Sequence, residues 1–412
     1  MARIDVMTDR PVGVVDPRLF GGVLDETSPW CGPGGTRADL FAAVRDLGVT
    51  SVRWAAGVDP DKFMAWCSAV GAEPVLRLDL GTDTLDEALA WARDGVRYLA
   101  LGQDLPDGAD AELYVARARG WAEALRMAEP GISLISCGHT GMDDWDRVVI
   151  DGLARYVDFH GVHLFTGSAD YWTHVLAPHY AERALSVAGA LIDRARYVQR
   201  IEREISVAYD AWNVSLDGGR LEERYNLADA LAVATYLNVF IRQSWTVRMA
   251  SLARLLNVTA PIVTFEGIFR PSVYHPFQLM AASSQPVALD TFTDSGTHAH
   301  RDRPGDRYRV ADLGLFQLLD VAATRDPGCS RLTVSVVNRA PTEIDTRVQL
   351  VGAKATGVMT VHEVTADSPD AVNTFAHPDA VGVQSAKREV DGEHLDVTFS
   401  PHSFTLLEMH LA

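Results

Sequence analysis

Asp25, Asp79, Asp104, His139, His163, Tyr209 and Glu266 each fall at or just after the end of a β-rich run in this 412-residue chain. A carboxylate working with an imidazole can take and return a proton without any covalent intermediate. Elimination, isomerisation and inverting hydrolysis are open to such a pair. Asp104 and His139 follow neighbouring runs, the fourth and fifth, and form the first candidate pair. Inverting hydrolysis would need a second carboxylate roughly 6.5–9.5 Å from Asp104 to activate water, and Glu266 is the candidate. Trp30, Trp54, Trp172 and Trp212 lie near other run ends and could stack on a sugar ring. Each type also has an ordinary use: an Asp at a strand end caps a loop, a lone His bonds within a wall, a Trp fills a core.

These residues cooperate only if the fold gathers the run ends in one place. Eight β-rich runs are legible: Leu19–Leu24, Val49–Trp54, Pro74–Leu80, Tyr98–Gly102, Ser133–Cys137, Phe159–Phe165, Ile205–Tyr209 and Val258–Thr264. Between them, apolar residues recur at helical spacing near 37–47, 60–70, 84–93, 110–127, 145–153, 179–195 and 225–244. In the last, Asn226 can cap, Asp229 follows three residues on, and Leu227, Leu231, Ala234 and Leu237 share a face. This alternation predicts an α/β chain folded as a (β/α)8 TIM barrel, whose chemistry sits at the C-terminal ends of its strands. A doubly wound open sheet is the alternative. It would carry a Gly-rich phosphate loop after its first strand, and DETSPWCGPGGT does not supply GxGxxG.

Composition changes near residue 285, where Thr, Val, Asp, Pro and Gly become frequent. Leu332–Arg339 alternates at period two, and Arg347–Val351, Gly357–Val364, Leu395–Phe399 and Phe404–His410 do likewise. A C-terminal β-sandwich is expected, and the initial ARIDVM could add a strand to it. The expected division is a barrel over 15–284 and a sandwich from 1–14 plus 285–412.

Several longer motifs resemble glycoside hydrolase family 51, the α-L-arabinofuranosidases. They are FGGVLDE at the first strand, GAEPVLRLDLGTDTLDEALAW at the third, YLALGQDLPDG at the fourth and ISVAYDAWNVS at the seventh. YNLADALAVATYLNVFIR, LLNVTAPIVT, LTVSVVNR and VNTFAHPDAV continue the resemblance in order to the C-terminal region. It implies a retaining glycosidase with two catalytic carboxyls roughly 5–5.5 Å apart. One protonates the leaving oxygen from a Gly-Asn-Glu motif. The other attacks the anomeric carbon from an Asp-Glu-Trp motif.

The sequence departs from that pattern at both motifs. The acid/base position carries Asp104 after Gln103, one methylene shorter than Glu. The nucleophile position, in Asp210-Ala211-Trp212, carries Ala211. A methyl group cannot attack carbon, so the covalent route is removed. Strict strand alternation would turn the neighbouring Asp210 away from the direction of Ala211. Substrate-binding positions implied by the resemblance are altered too. Asp25 stands for a Glu, Arg53-Trp54-Ala55-Ala56-Gly57-Val58 for Arg-Tyr-Pro-Gly-Gly-Asn, His163-Leu164-Phe165 for His-x-Tyr, and Cys137-Gly138-His139 for Cys-Gly-Ser. Tyr209, Gln103 and Trp212 complete the expected binding set. Five residues separate Gly57 from Phe63, where family members have dozens, so a shallower cleft is expected.

The formal charge of −18 and pI near 5.1 exclude a phosphate-binding basic surface, hence nucleic acid and acidic membranes as partners. No apolar stretch predicts a membrane span, and the N-terminus lacks a basic segment followed by an apolar one. Cys31, Cys67, Cys137 and Cys329 form no CxxC pair, which points to free thiols in a reducing cytoplasm. No cofactor motif occurs, and the pairs His298/His300 and His160/His163 lack a carboxylate at metal-site spacing, so neither cofactor nor metal is expected. The partner expected is a small sugar-like or glycosylated molecule. Family resemblance also implies that a homo-oligomer is possible. Three readings follow. The chain is a repurposed enzyme acting on a sugar-derived or secondary-metabolite substrate, a sugar- or partner-binding pseudoglycosidase, or an arabinofuranosidase, natural or an engineered variant.

Overall fold

The computed structural model describes residues 1–24, 37–54, 59–102, 110–214, 225–257, 259–264, 267–304 and 306–412. Eight parallel strands close into a barrel: β2 (Gly21–Leu24), β3 (Ser51–Trp54), β4 (Glu73–Leu78), β5 (Tyr98–Leu101), β6 (Ser133–Ser136), β7 (Phe159–Phe165), β8 (Ser206–Asn213) and β9 (Val247–Leu252). They follow β1 (Ala2–Val14), which lies outside the barrel. The helices are α1 (Ala38–Leu47), α2 (Pro60–Val70), α3 (Leu85–Arg93), α4 (Ala111–Ala128), α5 (Asp144–Leu153), α6 (Tyr171–Leu176), α7 (His179–Gln199), α8 (Leu227–Arg242) and α9 (Tyr274–Ser283).

One strand expectation is corrected. The barrel closes with Val247–Leu252, whose Ser251 and Leu252 pair with Gly21 and Gly22, and not with the run from Val258 to Thr264. The described part of that later run makes only isolated bridges, Leu256 with Ile262 and Val263 with Phe269. The segment VRMASL carries a charge in mid-run, so its apolar signal is weaker than that of APIVT. A parallel strand needs burial on both faces, and tertiary closure selected the less obvious segment.

The C-terminal strands are β10 (Val287–Asp294), β11 (Thr297–Ala299), β12 (Leu315–Gln317), β13 (Leu319–Arg325), β14 (Arg331–Asn338), β15 (Ile344–Val351), β16 (Ala355–Thr365), β17 (Gly382–Gly392), β18 (His394–Phe399) and β19 (Ser403–Leu411). Nine described strands join in the order β17-β16-β19-β14-β13-β10-β1-β15-β18. β1 sits between β10 and β15, so the first residues of the chain knit the two halves of this sheet. One face of the sheet buries Ile4, Val321, Val334, Val348, Phe399 and Leu407 in a cluster made of sheet residues and their connections, with no helix in it. The sheet therefore covers that face by folding on itself, as a β-sandwich does.

The other face meets α8. Every residue of α8 from Leu227 to Ile241 except Asp229 is buried. A helix apolar all round belongs between two layers, and α8 packs on β8 on one side and on β13, β14 and β19 on the other. Its start is fixed by the reciprocal Asn226–Asp229 capping box. Asp320 of β13 pins the layers together. Its carboxylate pairs with Arg242 at 3.2 Å and Arg339 at 3.0 Å and accepts from Asn238 at 2.8 Å. Burial alone would raise this carboxyl, but the two guanidinium groups outweigh it and hold it at about 2. A depressed folded-state pKa stabilises fully above the unfolded value of about 3.9 and loses that stabilisation as pH falls through the folded one. Urea unfolding midpoints should accordingly hold near neutrality and fall between about pH 4 and pH 2. Asp320→Asn should flatten part of that fall.

Candidate functional site

The barrel interior is layered. Its lower layer is apolar: Val75, Tyr98, Ala100, Ile135, Phe159, Ala208 and Met249. One step further toward the C-terminal strand ends the interior turns charged. Arg53 of β3 and Asp210 of β8 form an ion pair at 3.1 Å, with side chains 0% and 2% exposed. His163 of β7 places Nδ1 3.0 Å from the other Asp210 oxygen. Burial opposes the Asp210 charge, but Arg53 and then His163 outweigh it, and the carboxyl titrates below its ordinary range.

A β-bulge explains how Ala211 comes to face inward beside Asp210. Gly161 pairs with Ala208 and His163 with Ala211, so three steps on β8 match two on β7. A bulge breaks the period-two alternation. Alternation from the inward Ala208 points Asp210 into the barrel, and the bulge brings Ala211 into register with the inward-facing His163. The expectation that Asp210 turns away from Ala211 is corrected accordingly. Glycine makes the room: a Cβ on Gly161 would lie 3.0 Å from Asp210 Oδ2 and 2.7 Å from the Ser136 carbonyl. Gly161→Ala should cost about 1–3 kcal/mol by overpacking, read from chemical unfolding, with Gly120→Ala distinguished as a site where nothing crowds the Cβ and no positive φ strains it.

Neighbouring elements hold this layer in place. Tyr114 of α4 donates to the Leu101 carbonyl at 2.6 Å and accepts from Cys137 N–H at 2.7 Å, fixing the ends of β5 and β6 together. Below them, His160 Nε2 meets Asp146 at 2.9 Å, both buried, while Ser136 Oγ lies 3.0 Å from His160 Nδ1. Burial would raise Asp146, but the hydrogen bond and charge of His160 hold it well below the carboxylate range. Tyr308, from the segment before β12, donates to the Phe165 carbonyl at the end of β7.

The predicted site residues separate into four groups. His163 and Ala211 share the charged layer, and Phe165 follows two residues on at the strand end. Trp54, Tyr209 and Trp212 do not line the mouth, and their expected role is corrected. Trp54 follows the inward Arg53, so it faces outward onto Phe63 and Trp91. Tyr209 and Trp212 flank the bulge and pack on Tyr236 and Phe240 of α8, both fully buried. His139 is largely exposed, and its imidazole is engaged by Asp143, the N-cap of α5. Asp79 accepts from Gly81 N–H within its own turn. Trp172 stacks on His298 at 3.8 Å. Asp25, Trp30, Gln103, Asp104 and Glu266 lie outside the described residues, as do Ala55, Ala56, Gly57 and Val58.

Arg53 and Asp210 were not singled out as candidates by residue type. The available signal was a charge inside an otherwise apolar strand of a two-face-buried sheet, which is seldom kept without a partner. Among the described residues one group brings metal-ligating atoms together: His300, Asp302 and Asp306, within 4.8 Å of one another. Asp302 accepts from Ala311 N–H and Asp306 from Arg303 N–H, so both carboxylates serve the loop they stand in.

Residues 206–403 match the family model described as the α-L-arabinofuranosidase C-terminal domain. A protein of Aspergillus clavatus named a probable α-L-arabinofuranosidase C is 30% identical over 470 positions, covering 94% of this chain and 91% of the relative. The chain belongs to the α-L-arabinofuranosidases of glycoside hydrolase family 51. α-L-Arabinofuranosidase C of Emericella nidulans is 29% identical over 497 positions, covering 98% of this chain and 96% of the relative. That span exceeds 412, so this relative carries extra residues inside the match. The same architecture is seen in α-L-arabinofuranosidase from Thermotoga maritima in complex with arabinose. It superposes with a TM-score of 0.86 at 23% identity and full coverage of both chains. No described helix of this arabinofuranosidase-family chain is long and apolar enough to cross a membrane.

Proposed function

We propose that this family 51 member acts on a furanose-type, sugar-derived substrate by general acid–base chemistry, without a covalent glycosyl–enzyme intermediate. One observation carries the reading. The inward-facing His163 has Nδ1 in ion-pair contact with buried Asp210 at 3.0 Å, its Nε2 has no hydrogen-bond partner among the described residues, and the residue in register with it is Ala211. An imidazole beside a carboxylate at one nitrogen and without a partner at the other can act as a general base or acid. Arg53 keeps Asp210 ionised at that depth. Asp104 supplies the opposing proton carrier, as its motif position implies.

The test incubates the purified chain with arabinofuranosides, arabinono-lactones and aryl furanosides, followed by product analysis. A product that disappears with His163→Gln and with Asp104→Asn is expected, each variant losing about 10²–10⁴-fold in rate. No covalent adduct should be trapped by mass spectrometry. Ligands that bind but are recovered unchanged would overturn the reading in favour of a sugar-binding protein. Ordinary retaining turnover with a trapped adduct would overturn both.

A further inference from the structure

A second concave site lies away from the barrel mouth, where α7 and the end of α8 meet β10, β12 and β13. It is a cavity of about 520 Å³, within the range that holds small organic ligands. Its charged wall is unusually specified. Arg242 bonds Glu182 at 3.0 Å and Asp320 at 3.2 Å, and Arg339 bonds Asp320 at 3.0 Å. His179 sits between them, 2.8 Å from Arg339 Nη2 and 2.9 Å from Glu182.

A guanidinium only donates, so His179 Nε2 must accept from Arg339 and its proton resides on Nδ1, donated to Glu182. The imidazole is therefore neutral. Burial also lowers its affinity for a second proton, ahead of the opposing pull of Glu182. The ionic count of the lining is then three guanidinium groups, Arg183, Arg242 and Arg339, against two carboxylates, Glu182 and Asp320. The surplus is not satisfied locally. Arg183 makes no ion pair or hydrogen bond among the described residues. Arg339, with a side chain 1% exposed, leaves its Nε without a partner. A surplus cation in this lining is notable in a chain of net charge −18. Facing this wall, Leu313, Leu315 and Phe316 present apolar surface, with Leu315 69% exposed.

We propose that this junction cavity binds a small organic monoanion, a carboxylate with an apolar body, its head on Arg183 and its body on Leu315 and Phe316. The site is independent of the barrel interior and of the reaction assigned there. Because Arg183 belongs to a barrel helix and Leu315 and Phe316 to β12, the bound anion bridges the two layers and stabilises their docking.

The probes are benzoate and its neutral isostere benzamide, measured by calorimetry and by thermal unfolding at low ionic strength. Benzoate is expected to bind saturably and to raise the melting temperature, and benzamide to do neither. Arg183→Gln removes the unpaired charge from an exposed position without disturbing the Arg242–Asp320–Arg339 set. It should weaken benzoate about fivefold and leave the ligand-free melting temperature unchanged. His163→Gln, in the barrel, should leave benzoate binding unaltered. Equal binding of benzamide, undiminished binding by Arg183→Gln, loss of binding in His163→Gln, or no saturable benzoate binding would each overturn the proposal.

Discussion

Ala211→Glu should raise hydrolysis of 4-nitrophenyl α-L-arabinofuranoside by about 10³-fold or more over the unaltered chain. Ala211 is in register with His163, and the layer contains donors that no described acceptor meets: Nε and Nη1 of Arg53 and Nε2 of His163. A carboxylate introduced at 211 has hydrogen-bond partners waiting, so burying its charge costs less than at an ordinary interior position. A retaining glycosidase reacts through such a group, and nothing else in the Asp210-Ala211-Trp212 motif replaces it. Asp210 is already committed to Arg53 and His163. Ala211→Leu separates chemistry from packing, since it fills similar space and offers no nucleophile. If the Glu variant folds and gains nothing over the Leu variant, position 211 does not address the anomeric carbon, and the proposed loss of the covalent route needs another explanation.

Asp210→Asn should lower global stability by about 3–5 kcal/mol, because it leaves the Arg53 charge buried without an anion. Arg53 has no exposure through which water could compensate. The paired variant Asp210→Leu with Arg53→Met removes both charges. It should recover much of the loss, because a buried ion pair contributes little over a well-packed apolar substitute. Urea unfolding of the two variants and of Arg53→Met alone gives the coupling directly. A loss below about 1 kcal/mol for Asp210→Asn would mean that water or a rotated side chain already serves Arg53.

Much of the architecture was legible because helical and strand periodicities were strong where burial was one-sided. The capping residues of α8 and the run Leu332–Arg339 show this. α8 itself was read as amphipathic and turned out buried all round, since nothing local reports that a second layer covers its far face. The closing strand was misplaced because VRMASL is less apolar than the segment that follows, and only ring closure against Gly21 and Gly22 distinguishes them. At the candidate site, His163 was recognised from its motif. Trp54, Tyr209 and Trp212 were assigned to the mouth because aromatic residues at strand ends look alike whichever face they take.

The sequence alone determined the family, the order of elements, and the one fact that most constrains the chemistry, a methyl group at position 211. Residue identity is a local property, and no folding alters it. Tertiary structure alone decided which charges meet. Alternation from the inward Ala208 turns Asp210 inward, one extra residue in β8 brings Ala211 to the same face beside it, and barrel closure joins Asp210 to Arg53 and His163 from strands far apart in the chain. Bulges and the pairings they create depend on inter-strand register, a relation between segments that neither segment encodes by itself.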